Sequence, residues 1–341
     1  MEKFNNNFKK NSFNIAFITI STIILFSYFI ISDNLKQLIF ILKNSSKIFL
    51  LCALVCIIIY WIFDAISLYL VSHKLAPSFK FKKTLQTSMI GQLFNCITPF
   101  ASGGQPIQAY SMVKYGIPLG TSSSILLAKF IVYQTVLTFY SLFTLIFKFR
   151  YFSEKVSGFS YIVFIGFAVN TIVVLFLIGI GFFPKITEKI LLHIIELLSK
   201  FKILRNKNKK ETIVQNISIE ISNFYESFQF LKSNITLIIH TSIVVILQLT
   251  FFYLIPYFIC LALNASNINI ANIISAGAFV LMVSSFIPLP GASGGAEGSF
   301  YLFFAPFFTQ TGSIGIAIFL WRILTFYFTI LIGAIFSKPI K

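Results

Sequence analysis

The stretch IFLLCALVCIIIYWIFDAISLYLVS, residues 48 to 72, holds 25 residues and a single charge, Asp64. Hydrocarbon offers a backbone no hydrogen-bond partner, so a run of this kind must satisfy itself as a helix, and ~20 residues cross ~30 Å of bilayer core. Segments 13 to 31, 121 to 147, 158 to 183, 235 to 263 and 312 to 336 meet the same test. Six such runs, in a chain that is 57% hydrophobic and 11% charged, confine it to an all-α integral membrane fold. The first run follows a basic start (Lys3, Lys9, Lys10), and SYFIISDN offers no small-residue cleavage site. It is therefore expected to be a retained anchor and not a signal peptide.

Two further apolar segments, 84 to 98 and 276 to 289, are too short to span comfortably. Each ends in the same pattern, P-x-A-S-G-G: TPFASGGQPIQ at 98 to 108 and LPGASGGAEGS 191 positions later. A second short and more polar segment follows each one, at 104 to 115 and 297 to 310. Two broken hairpins that enter the bilayer and return to their own side fit this pattern. Irregular backbone at that depth is tolerated where it is buried in protein or lines a water-filled space, so the tips should face such a space.

The net charge of +17 raises nucleic acid as a partner, but the basic residues lie in short loops beside the spans. Orientation and anionic lipid account for them better, and nucleic acid is not expected. With the N-terminus inside and both hairpins re-entrant, the inner segments hold 19 of the 27 Lys and Arg residues. That topology places both termini in the cytoplasm and opens the two hairpins to opposite sides. It also pairs 48–72, hairpin, 121–147 with 235–263, hairpin, 312–336, in the opposite sense. The expected architecture is six full spans plus two re-entrant broken hairpins in one membrane domain over 1–341. An inverted-topology repeat divides it into 1–147 and 158–336, a plan that sets a transporter's substrate site near the midplane between discontinuous helices. The piece from 184 to 233 is expected to be a cytoplasmic amphipathic insert. Ile213, Ile217, Ile221, Phe224, Phe228 and Leu231 recur at helical spacing, and KILLHIIELLSKFKIL reads similarly.

Four ionisable residues lie in the apolar segments: Asp64, Lys129, Glu297 and Arg322. Charges are costly there and mark a pathway or a counter-ion pair. Lys129 and Arg322 sit in matching spans, and all four can reach the midplane. Two readings stand: structural pairs, Asp64 with Lys129 and Glu297 with Arg322, or direct contact with substrate, with Asp64 and Glu297 also carrying charge or a proton. Gly103, Gly104, Gly294 and Gly295 allow a tight reversal and close backbone approach ahead of a half-helix, whose free N–H groups favour an anion such as phosphate. Ser102, Ser293, Gln105 and Gln108 can add hydrogen bonds. Cys52, Cys56, Cys96 and Cys260 all lie in apolar segments without nearby His or acid, so packing is expected and no metal or cofactor. GASGG also resembles the nucleophile segment of rhomboid proteases, but His73, His193 and His240 all precede Ser293, where that chemistry needs a later histidine.

The stretches TPFASGGQPIQAYSMVKYGIP (98–118), IPLPGASGGAEGSFYLFF (287–304) and WRILTFY (from 321) resemble the membrane region of the lysylphosphatidylglycerol synthase family, over essentially the whole chain. That family includes the flippase half of the multiple peptide resistance factor and stand-alone relatives. Its first motif often reads P-G-x-x-G-G-E-x-x-R, so Gln105 and Gln108 stand here for Glu and Arg, while Glu297 keeps the acid of the second. The resemblance implies a lipid flippase for an anionic or aminoacylated phospholipid, resistance to cationic peptides, and a multi-pass location in a bacterial-type cytoplasmic membrane. A polyprenyl-phosphate carrier and a membrane scaffold are the rival readings. The implied partners are the lipid and the membrane, with a lipid-modifying enzyme and a second copy of the chain as protein partners. Full-length relatives also carry a soluble lysyltransferase domain; no segment of that size occurs here, so no transferase activity is expected even under a phosphatidylglycerol lysyltransferase label.

Overall fold

A computed structural model describes residues 43–200, 207–266, 268–285, 287–308 and 311–337, and these contain helices and turns with no strand. The anchor expected at 13 to 31 lies outside the described residues. Among the described residues, five helices are long and apolar enough to cross a membrane: α1 (Lys47–Leu75), α4 (Leu119–Lys155), α5 (Phe159–Phe182), α8 (Ile235–Ala262) and the last, Ser313–Ser337. The last is α11 (Thr311–Arg322) and α12 (Phe328–Ser337), joined by one π-helical turn over Ile323–Tyr327.

The two broken hairpins form. In the first, α2 (Phe81–Ile97) turns back as α3 (Gly104–Lys114). Gln86 accepts from the Tyr115 hydroxyl at 2.5 Å and Thr87 meets Ser111 at 3.0 Å, while nearer the tip Gly91 faces Gln108 and Gly104 faces Asn95. Partner numbers fall as the others rise, so the arms are antiparallel. In the second, α9 (Ile270–Ser284) returns as α10 (Gly295–Phe304), with Phe279 against Phe303 at 5.7 Å. Its first arm begins at Ile270, six residues before the start expected from hydropathy. Asn269 caps it, its side chain accepting from the Ala271 and Asn272 N–H groups, and hydropathy is blind to such a cap.

The seam of the molecule lies between α1 and α8. Ser46 donates its backbone N–H to the Ala262 carbonyl at 3.2 Å, Tyr60 packs on Phe252 at 5.1 Å, and Asp64 accepts from Gln248 at 3.1 Å. The helix that opens the first helix–hairpin–helix unit thus runs antiparallel to the helix that opens the second. On its other face α1 exposes Ile48, Leu51, Val55, Ile58 and Ile62, an apolar stripe at spacings of three and four. The inner positions bury hydroxyls and amides instead, among them Ser67, Ser88, Ser111 and Gln248. Apolar outside and polar inside is the distribution a lipid solvent selects. Close helix approach relies on small residues: Gly333 on α12 lies against the Met89 carbonyl and Leu93 of α2, where a Cβ would stand 3.0 Å from that oxygen.

The insert forms α6 (Pro184–Lys200) and α7 (Lys207–Lys232). α7 packs on α4 and α5, burying Ile221, Phe224 and Leu231, with Phe228 stacked edge-on to Phe182 at 5.1 Å. The side chains of Ile213 and Ile217 lie outside the described residues. This apolar stripe fastens the pair to one end of the bundle, and Ser218 of α7, which donates to Glu188 of α6 at 2.5 Å, ties its two helices together.

Candidate functional site

The two P-x-A-S-G-G tips have the same backbone at their core. Thr98 and Leu289 are extended, with φ of -118° and -119°. Phe100 and Gly291 follow at φ 54° and 58°, and Ala101 and Ala292 at φ 52° and 51°. Ser102 and Ser293 each donate a hydroxyl to the proline carbonyl three residues earlier at 2.9 Å. Left-handed backbone is costly for side chains with a Cβ, so two consecutive such residues, repeated at matching places, mark a turn that the surrounding packing imposes.

The reversal is shared between glycines and other residues. It turns at positions 100–101 and 291–292 and again at Gly294, with φ 85°, while Gly103 and Gly104 have ordinary negative φ. Gly104 and Gly295 serve close approach: a Cβ on either would enter the side chain of Asn95 on the opposite arm or of Ile287 in the turn. The N–H groups expected to meet a phosphate are partly taken as well. That of Gly103 goes to the Thr98 hydroxyl at 2.8 Å, and that of Gly294 to Glu297 Oε2 at 2.7 Å.

The tips touch each other, and between them lies a cavity of about 210 Å³. Both units line it: Tyr60 from α1, Gln92 and Asn95 from α2, Ser284 and Ser285 from α9, and Arg322 from α11. Phe100, Ala101, Gly291 and Ala292 of the tips complete the wall. The π turn after Arg322 gives the last helix an extra residue in one turn, and Thr325 and Phe326 from it also face the cavity. Arg322 is 5% exposed. Its Nε donates to Glu297 Oε1 at 2.7 Å and its Nη1 to the Gly291 carbonyl at 3.0 Å, while Nη2 has no partner among the described residues. Trp321 and Phe326 flank the guanidinium, each 5.3 Å from its carbon. Glu297 thus ties the start of α10 to α11 and positions the arginine.

The second charged pair lies deeper in the bundle. Lys129 Nζ donates to Asp64 Oδ1 at 2.8 Å, Gln248 donates to the same oxygen at 3.1 Å, and Ser88 donates to Oδ2. Both charges are more than nine-tenths buried. The cluster's place relative to the cavity follows from helix geometry. Asp64, Ser88 and Gln248 each lie four residues from a cavity-lining residue, Tyr60, Gln92 and Phe252. One helical turn rises ~5.4 Å, so the Asp64 layer sits about one turn below the cavity wall.

Of the residues singled out from sequence, then, only Arg322 reaches the cavity itself. The four ionisable residues do not converge at one point; they form two pairs, each within one unit. Gln108 is buried against Gly91 across the first hairpin, Gln105 is exposed, and Lys129 is held by Asp64. Sequence reasoning missed Tyr60, Gln92, Asn95 and the two serines at 284 and 285. Their signal was amides and hydroxyls at i, i+3 and i+4 on otherwise apolar helices.

Comparison with known proteins bears on what this cavity serves. The family model described as "Lysylphosphatidylglycerol synthase TM region" matches residues 14–333. A "UPF0104 membrane protein" of Archaeoglobus fulgidus is 26% identical over 304 residues, covering 86% of this chain and 87% of that protein. No solved structure matches.

Proposed function

Because the chain belongs to the lysylphosphatidylglycerol synthase transmembrane-region family, a multi-pass membrane family tied to membrane lipids, we propose that it moves a phospholipid between leaflets. The headgroup passes through the cavity between the two tips while the acyl chains stay in lipid. The observation that carries this reading is the cavity: a largely apolar space walled by both units, with amides and hydroxyls in its lining and a buried arginine whose Nη2 has no partner among the described residues. A scaffold gains nothing from such a space, and a buried, unsatisfied polar group is retained at a cost.

In this reading the units form an inverted repeat, supported by the antiparallel α1–α8 seam and the matching tips. The N-terminus lies in the cytoplasm, and the Asp64 layer stands between the cavity and the cytoplasm as a seal that parts during transport. Asp64 and Glu297 are the groups able to exchange a proton when their cations let go. A lipid modified before transport comes from a separate enzyme.

The test is lipid movement in reconstituted liposomes with labelled phosphatidylglycerol, its lysyl derivative and a polyprenyl phosphate. Selective movement that Glu297→Gln abolishes, in protein that still purifies as a single species, is the expected result. If folded protein moves no lipid, the transport reading is wrong and the chain is a subunit of a lipid-modifying system. Single cysteines at the exposed positions 106 and 298 should react from opposite faces of the membrane; reaction from one face would end the inverted-repeat reading.

A further inference from the structure

The geometry points to an anionic, hydroxyl-bearing headgroup, the phosphate ester of a polyol, as the ligand of the cavity, in preference to a cationic aminoacyl headgroup. This narrows the transport reading above and rests on it.

Among the described residues, Arg322 is the only charged side chain in the cavity wall. A guanidinium has five N–H donors in a planar fork; here Nε and one edge of Nη1 are engaged and Nη2 is not. The flanking Trp321 and Phe326 rings hold the plane of the fork, so the unused donors are presented in a fixed direction. Phosphate oxygens match such a fork in geometry and charge. Glu297 does not line the cavity, and it stands behind the guanidinium as seen from the ligand.

A cationic headgroup needs the opposite arrangement, a carboxylate with an oxygen to spare. Among the described residues, neither acid of the two pairs lines the cavity, and every carboxylate oxygen of both already accepts a hydrogen bond. Glu297 gives one oxygen to Arg322 and the other to the Gly294 N–H. Asp64 gives one to Lys129 and Gln248 and the other to Ser88, a helical turn away from the cavity. A lysyl headgroup would bring two ammonium groups against its one phosphate beside Arg322, whose only acidic partner, Glu297, is already engaged by the guanidinium and the Gly294 N–H. The rest of the described wall is uncharged and largely apolar, but Tyr60, Gln92 and Asn95 place polar groups in it, and the hydroxyls of Ser284 and Thr325, which donate to the Leu281 and Trp321 carbonyls, keep an acceptor oxygen. That lining suits the hydroxyls of a glycerol or sugar.

The protein supplies its own reporter. It has two tryptophans, and Trp321 lies in the cavity wall against Arg322. In a Trp61→Phe background, Trp321 emission can be titrated in detergent with dihexanoylphosphatidylglycerol, its lysyl ester, dihexanoylphosphatidylcholine and glycerol phosphate. The phosphatidylglycerol should bind at least about tenfold more tightly than the lysyl ester or the choline lipid, and Arg322→Gln should erase the difference. Arg322→Lys, which keeps the charge but loses the fork, should also weaken binding, and it serves if the glutamine variant does not fold. Equal or tighter binding of the lysyl ester, or phosphatidylglycerol affinity unchanged by both substitutions, overturns the inference. Glycerol phosphate binding as tightly as the lipid overturns the lipid source and makes the ligand a soluble polyol phosphate. The liposome assay separates the two claims: faster movement of the lysyl lipid refutes the selectivity and leaves transport standing. Selective binding without movement of any lipid refutes transport and leaves the selectivity standing.

Discussion

Replacing Asp64 with Asn tests what the deep charged layer contributes to the stability of the bundle. Asp64 is 4% exposed and Lys129 9%, and they meet at 2.8 Å. At an effective dielectric of ~20 their attraction is about 6 kcal/mol, most of it offset by the cost of desolvating both ions. The asparagine amide retains an acceptor for Gln248, and Ser88 can rotate to accept, so the neutral hydrogen bonds largely survive. What does not survive is the compensation of Lys129, and removing one partner of a buried pair costs ~3–5 kcal/mol. At about 2 °C per kcal/mol, the single variant should melt roughly 6–10 °C below the wild type. Lys129→Met should cost a similar amount, because it strands the carboxylate. The double variant Asp64→Asn, Lys129→Met should return to within ~1 kcal/mol of the wild type, since a neutral packed layer often replaces a buried pair without loss. Thermal unfolding of the purified protein, followed by tryptophan emission, reads all three. A single-variant loss under ~1 kcal/mol, or a double variant no better than the singles, refutes the argument. Transport by the double variant then decides the role of the pair. A stable protein that moves no lipid places the layer on the pathway, and full transport makes it purely structural.

The tips allow a contrast. Phe100 and Gly291 share a left-handed backbone, so Phe100→Gly should stabilise by ~1 kcal/mol through relief of strain. Gly291→Ala should cost ~2–3 kcal/mol, because the new methyl is strained there and also enters the Phe326 ring. Melting temperatures moving the same way in both would refute the equivalence of the two turns. Gly333→Leu should part α12 from α2, since the Met89 carbonyl beside Gly333 is backbone and cannot move aside, at a cost of ~3 kcal/mol or more. Gel-filtration homogeneity and melting temperature check it, and a wild-type profile would refute the close contact.

Much of this fold was legible because lipid makes backbone satisfaction a matter of length. The runs from 48 to 72, 158 to 183 and 235 to 263 became α1, α5 and α8 within about three residues at each end. The paired P-x-A-S-G-G motifs marked both turns, and four lone charges marked both ion pairs. The conformation inside the turns was not legible: the glycines drew attention, yet Phe100, Ala101 and Ala292 take the left-handed positions. Tertiary packing decides where that strain is placed, and composition does not record it. The π turn after Arg322 left no hydropathy signal, because one extra residue in a turn of an apolar helix changes register and not polarity. The occupied N–H groups of Gly103 and Gly294 depended on Thr98 and Glu297, whose side chains could as easily have pointed elsewhere.

The charges break the symmetry that the backbone keeps. Lys129 and Arg322 occupy matching helices, but Lys129 takes its acid from the long helix α1 and Arg322 takes its acid from the tip at the start of α10. The position matching Glu297 in the first tip is Pro106, which offers no acid. One cation is therefore saturated and lies beneath the cavity, while the other keeps donors at its wall. A carrier with two identical halves would present the same energy profile to a headgroup from either side. Under the proposed transport, a headgroup entering the cavity would meet the guanidinium before the Asp64 layer, and would proceed only if Lys129, Gln248 or Ser88 released that carboxylate. A phosphate able to draw Lys129 away from Asp64 would offset the cost of opening, whereas a headgroup with no negative charge would not. The same layer that seals the bundle would then act as a second filter for charge, and the Asp64→Asn, Lys129→Met variant should lose that filter along with the seal.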